Sequence, residues 1–86
     1  MANSPGILVV IRSKEKVLFS GQAQAVSSIN DKGPFDVLTQ HENFISLIKD
    51  KIVVHITPTE QREIKIENGI ARVYNDKVFI YVNFIS

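Results

Sequence analysis

In Glu63-Ile-Lys-Ile-Glu67 charge and isoleucine alternate without a break, and that two-residue period suits a pleated strand rather than a helix. On a strand, Ile64 and Ile66 share one side while Glu63, Lys65 and Glu67 share the other, so the segment needs a core beneath it and water above. A slip of one residue would bury Lys65 and expose both isoleucines, which pins the pairing register. Asn68-Gly69 follows at once, a dipeptide that accepts positive φ at both centres of a tight turn, and Ile70-Ala-Arg-Val-Tyr74 resumes the alternation. These residues predict a hairpin turning at Asn68-Gly69. Asn75-Asp76-Lys77 then turns the chain into Val78-Phe-Ile-Tyr-Val82, so the last third reads as a three-stranded meander.

The remainder carries the same signal. Gln22-Ala-Gln-Ala-Val-Ser-Ser-Ile29 sets Ala23, Ala25, Ser27 and Ile29 against Gln22, Gln24, Val26 and Ser28, as one strand with a modest buried side would. Residues 7–11, 17–20, 35–38 and 52–57 are β-branched or aromatic runs separated by polar breaks such as Asp31-Lys-Gly-Pro34. Residues 41–51 are ambiguous: Phe44, Ile45, Leu47 and Ile48 also fit a helical turn and a half, although the shortness of the run and its setting among strands favour a strand. The 86 residues hold one domain, residues 1–86, because a second core could not bury enough surface. The fold class expected is all-β, an antiparallel β-sandwich or flattened barrel of about eight to ten short strands.

Composition removes several functions. Ten basic and nine acidic residues give a net charge of +1, which provides no field to gather nucleic acid. Without cysteine there is neither a disulfide nor a thiolate metal site. The apolar run at residues 6–11 is far too short to cross a bilayer, so no direct membrane insertion is expected, and a signal peptide's basic flank and cleavage site are missing. The four glycines are isolated and form no phosphate-cradling loop, so no cofactor is expected. Catalysis would fall to His41 or His55. Adjacent His41 and Glu42 point apart on an extended backbone and cannot share a proton or metal, while His55 sits inside the apolar run Ile52-Val-Val-His-Ile56. A small enzyme would need a concave pocket that brings one of these histidines beside a distant carboxylate.

Gly33-Pro-Phe-Asp-Val-Leu-Thr-Gln-His41 joins a turn, a short apolar run and a polar loop. With Phe19-Ser-Gly-Gln-Ala-Gln-Ala-Val-Ser27, Phe44-Ile-Ser-Leu-Ile48, Ile66-Glu-Asn-Gly-Ile70 and Val78, it resembles the N-terminal domain of the F-type ATP synthase epsilon subunit over about Leu8 to Val82. Thr39-Gln40 and Glu42-Asn43 flank His41 where that family usually carries Pro-Gly and Ala-Pro. Asp36 and Asn68 replace frequent glycines.

The resemblance implies a non-catalytic rotor subunit of the central stalk that links the gamma subunit to the c-ring and couples proton translocation to ATP synthesis. It implies a peripheral location on the cytoplasmic face of the energy-transducing membrane. Pro34, Phe35, Asp36, Gln40, His41 and Glu42 would then form the loop facing the ring. The family's C-terminal helical hairpin, which supplies nucleotide contacts, has no counterpart in these residues, so ATP binding is not expected. Plainer readings stand beside this one: Phe35, Val37 and Leu38 as packing residues, residues 40–42 as a solvated loop, and the whole domain as a free-standing β-sandwich binding module of another assembly.

Overall fold

In a computed structural model that describes residues 6–39 and 42–83, the chain forms β1 (Ile7–Arg12), β2 (Val17–Ala23), β3 (Ala25–Asn30), β4 (Gly33–Val37), β5 (Phe44–Thr57), β6 (Glu60–Tyr74) and β7 (Lys77–Val82). The ambiguous segment is strand from Phe44 onward. The strands join in the order β2-β1-β7-β6-β5-β3-β4. Five of the six pairings are antiparallel and one, β1 with β7, is parallel.

The all-β class stands, with seven strands among the described residues, near the eight to ten expected, because two pairs of expected strands each continue as one. β5 runs for 14 residues and β6 for 15. The expected turn at Asn68-Gly69 does not exist: both residues lie within β6, where Gly69 pairs with Ile48 on one side and Val82 on the other. The tight turn that needs positive φ twice is Asn75-Asp76, at φ 49° and 60°, between Tyr74 and its partner Lys77.

What happens near Asn68 is a corner. Lys49 pairs with Asn68 but Lys51 pairs with Lys65, so one residue of β5 opposes two of β6, and Asp50 takes φ 72°. Such a bulge bends both strands and carries them from one layer into the other. β2, β1, β7, β6 from Asn68 onward and β5 up to Lys49 form layer one; β6 before the corner, the rest of β5, β3 and β4 form layer two. The neighbouring β3–β5 ladder slips at the same place, and the Lys51 carbonyl it frees accepts the Ser28 hydroxyl at 2.7 Å. Ser28, the buried polar residue among those described, is thereby satisfied.

A second crossing lies at Gln24. Gln22–Ile29 is not one strand: β2 ends at Ala23, Gln24 N donates to His55 O at 2.8 Å, and β3 begins at Ala25. The phase of burial flips there, so that Ala23, Val26 and Ser28 point inward in place of a single alternating set. Between the layers lie Ile7, Val9, Ile11, Ile48, Ile52, Val54, Ile66, Val73, Val78, Ile80 and Val82 in one cluster, with Ile64 packed against it. Each large aliphatic side chain fully removed from water contributes about 1.5 to 3 kcal/mol. The Arg62 guanidinium of β6 lies 5.6 Å from the centroid of the Phe19 ring of β2.

Candidate functional site

The residues singled out in Gly33–His41 do not converge. Pro34 and Asp36 point outward from β4, whereas Phe35 between them points inward and meets the Phe44 ring edge-on, centroids 6.0 Å apart and planes at 74°. Phe35 is therefore a packing residue in the free chain. Glu42 is exposed in the segment leading to β5, and Gln40 and His41 lie outside the described residues. Asn75 N donates to Asn43 Oδ1 at 3.1 Å, and Leu8 N donates to Asp76 O at 3.0 Å. The segment before β5, the β6–β7 turn and the start of β1 thus meet at one end of the sandwich.

Cross-strand register does assemble a polar group that the sequence hides. Ser27 sits opposite Asp36 on β4 and diagonal to His55 on β5, and its Oγ donates to Asp36 Oδ1 at 2.5 Å while lying 2.8 Å from His55 Nε2. A cleft of about 400 Å³ runs beside it, lined by Ser27, Ile29, Pro34, Val53, His55 and Glu63 among others. The three residue types match a hydrolase triad, but the order does not. A hydroxyl has one proton, and here it is directed to the carboxylate, so His55 Nε2 must donate to Ser27. A histidine in that role cannot withdraw the proton a nucleophilic serine has to lose. What the group does is tie edge strand β4 through β3 to β5. Among the described residues, no cluster of three or more His, Asp or Glu could hold a metal ion.

The other outer surface is of a different kind. On layer one the ladders line up outward side chains in rows: Leu47, Ile70, Tyr81 and Arg12, then Ile45, Arg72, Phe79 and Val10, then Tyr74, Lys77 and Leu8. Leu47 is 72% exposed and Ile45 68%; Ile70, Tyr74, Phe79 and Tyr81 are exposed as well. The same alternation that places Val78, Ile80 and Val82 in the core forces Phe79 and Tyr81 out on this side. Shallow clefts flank the Ile70–Tyr81 pair, one of about 240 Å³ toward Leu47 and Asn83 and one of about 240 Å³ toward Val10, Arg12, Arg72 and Phe79. Single exposed apolar residues are ordinary, but contiguous rows of them mark a surface that another molecule covers. Sequence reading missed this surface because β1, β7, β6 and β5 are brought side by side from distant parts of the chain.

Comparison with known proteins gives the family and the fold. The family model for the ATP synthase delta/epsilon chain β-sandwich domain matches residues 7–85. The ATP synthase epsilon chain of Corynebacterium efficiens is 32% identical over 80 residues, which cover 91% of this chain and 64% of the relative. That of Rhodopseudomonas palustris is 36% identical over 61 residues, covering 71% of this chain and 45% of the relative. The chain thus spans less than two thirds of the length of these relatives. In fold it is similar to a chain in the cryo-EM structure of the Euglena gracilis mitochondrial ATP synthase containing OSCP, F1 and the c-ring, with a TM-score of 0.83 at 19% identity over 94% of this chain and 53% of the other. A chain in the Tetrahymena thermophila mitochondrial ATP synthase central stalk and c-ring gives a TM-score of 0.79 at 8% identity, over 99% of this chain and 69% of the other. The chain belongs to the β-sandwich domain family of the ATP synthase delta and epsilon chains.

Proposed function

We propose that this chain serves as a non-catalytic central-stalk subunit of an F-type ATP synthase, joining the gamma subunit to the c-ring so that rotation driven by proton flow reaches the catalytic head. Family membership supplies the assembly; the observation that carries the role is the outward face of layer one, with Ile45, Leu47, Ile70, Phe79 and Tyr81 exposed on adjoining strands. This face is assigned to gamma. The ring is assigned to the stretch that leads into β5, with Pro34, Phe35, Asp36, Gln40, His41 and Glu42 as the candidate contacts.

The reading is mechanical. A subunit that transmits torque needs a body that does not shear, and two layers sharing a close-packed core through continuous 14- and 15-residue strands resist shear well. Polar contacts to a ring of repeated subunits add register more than affinity. Neither nucleotide binding nor hydrolysis is assigned to the chain, and its place is peripheral, on the cytoplasmic side of the membrane that holds the ring. No described helix is long and apolar enough to span a bilayer.

The test is reconstitution. Synthase stripped of its own epsilon subunit, placed in vesicles and supplied with this chain, regains ATP-driven proton pumping. Pumping that stays at the stripped level while the chain remains unbound would overturn the assignment.

A further inference from the structure

Resting on the assignment of the layer-one face as a docking surface, we infer that the protein surface covering it is acidic and inserts an aliphatic side chain beside Ile70. The observation is a segregation of charge. Basic and acidic residues are nearly balanced in the sequence, ten against nine. Yet the outward positions of this face carry Arg12, Arg72 and Lys77, with Lys49 at the corner, and no carboxylate occupies any outward position in the rows of β1, β7, β6 from Asn68 onward or β5 up to Lys49. The nearby carboxylates lie at the margins of these rows: Glu15 in the β1–β2 connection, Asp76 in the β6–β7 turn, Glu42 before β5, and Asp50 and Glu67 at the corner beside Lys49 and Asn68. The outer side of layer two, by contrast, mixes Asp36 and Glu63 with Lys51 and Lys65.

Arg12 and Arg72 flank the cleft of about 240 Å³ whose walls include Val10, Ile70, Phe79 and Tyr81. That space suits one branched aliphatic side chain. Each guanidinium is steadied on one side: Arg72 lies 5.5 Å from the centroid of the Tyr74 ring, and Arg12 Nε donates to Ser13 O at 3.2 Å. A partner without carboxylates would bury these cations unpaired, which is strongly unfavourable, whereas a carboxylate meets a guanidinium with two parallel hydrogen bonds. A lipid surface fits less well. Arg72 lies in the central row, between Ile45 and Phe79, and sinking that face among acyl chains would carry the cation with it. The charge pattern therefore selects an acidic protein surface.

The probe is the gamma subunit purified from the same source, titrated against the full chain by calorimetry at low and moderate salt. The wild type binds, and its affinity falls about tenfold or more as salt screens the pairs. The Arg12→Glu/Arg72→Glu double variant binds at least about tenfold more weakly than wild type at low salt, while Arg12→Lys/Arg72→Lys, which keeps the charge but loses the paired hydrogen bonds, falls between the two. Wild-type affinity that ignores salt, or a charge-reversed variant that binds like wild type, overturns the inference. Leu47→Asp and Ile70→Asp, both at exposed positions, separate the two assignments. If they abolish binding while charge reversal does not, the face docks gamma but the acidic partner surface is wrong. If they too bind normally, or gamma does not bind the wild type, the docking assignment and this inference fall together. Co-sedimentation with phosphatidylglycerol vesicles that charge reversal abolishes would replace the protein partner with a lipid surface.

Discussion

A Cβ placed on Gly69 would lie 2.6 Å from the carbonyl oxygen of Tyr81, closer than a side-chain carbon can approach. Gly69 is buried mid-strand between Ile48 and Val82, and Val82 Cα would stand 3.2 Å from the same Cβ. Glycine is needed here for the approach of β7, just past the corner where β6 changes layer. Gly69→Ala should therefore destabilise the chain by about 1 to 3 kcal/mol, the usual cost of overpacking, read as a lower midpoint in urea with an unchanged slope. A wild-type midpoint would mean that β7 yields at no cost.

The corner offers a second check at Asp50, which holds φ 72° opposite two residues of β6. A β-branched residue is strained in that region and glycine is not. Asp50→Val should cost roughly 1 to 3 kcal/mol, while Asp50→Gly should be neutral or slightly stabilising. Equal melting points for both variants would argue against a left-handed backbone at this position.

Phe79 and Ile80 are neighbours with opposite fates. Phe79 is 42% exposed on the docking face and Ile80 is buried. Ile80→Ala should cost about 2 to 5 kcal/mol of stability. Phe79→Ala should cost much less, and should weaken gamma binding in a chain that still melts near the wild-type temperature. Thermal scans paired with titration of gamma separate the two effects.

The Ser27 bridge makes a chemical prediction. Ser27→Ala removes both side-chain hydrogen bonds and should lower stability by about 0.5 to 1.5 kcal/mol per bond lost, through looser attachment of β4. Slow turnover of an activated ester by the wild type that disappears in Ser27→Ala would show that the hydroxyl is a nucleophile, against the proton arrangement described above.

For the ring-facing end, replacing Gln40, His41 and Glu42 together with alanine should reduce proton pumping in reconstituted synthase. The melting curve of the free variant distinguishes a lost contact from lost folding. Full coupling with the triple variant would remove these residues from the ring contact.

Strand content was legible because alternation such as Glu63-Ile-Lys-Ile-Glu67 needs only local periodicity. The Asn75-Asp76 turn was legible for the same reason, since both residues tolerate positive φ. Asn68-Gly69 misled because glycine serves two purposes, turning a chain and admitting a neighbouring backbone, and the second is visible only once β7 lies alongside. Gln24 misled because a crossing between layers shifts the phase of burial without a Gly or Pro to mark it. The docking face required register among four strands. Arg12 and Tyr81 are 69 residues apart in number and adjacent in space, and Ser27, Asp36 and His55 are related in the same way. Local patterns could not pair them.

Affinity purification from the source cells in mild detergent, using a tag on this chain, tests the central-stalk assignment most directly. The account predicts that gamma and the c subunits co-purify with it in stable proportion and that Leu47→Asp releases gamma. Recovery of the wild-type chain free of every ATP synthase subunit, or within a different assembly, would contradict it.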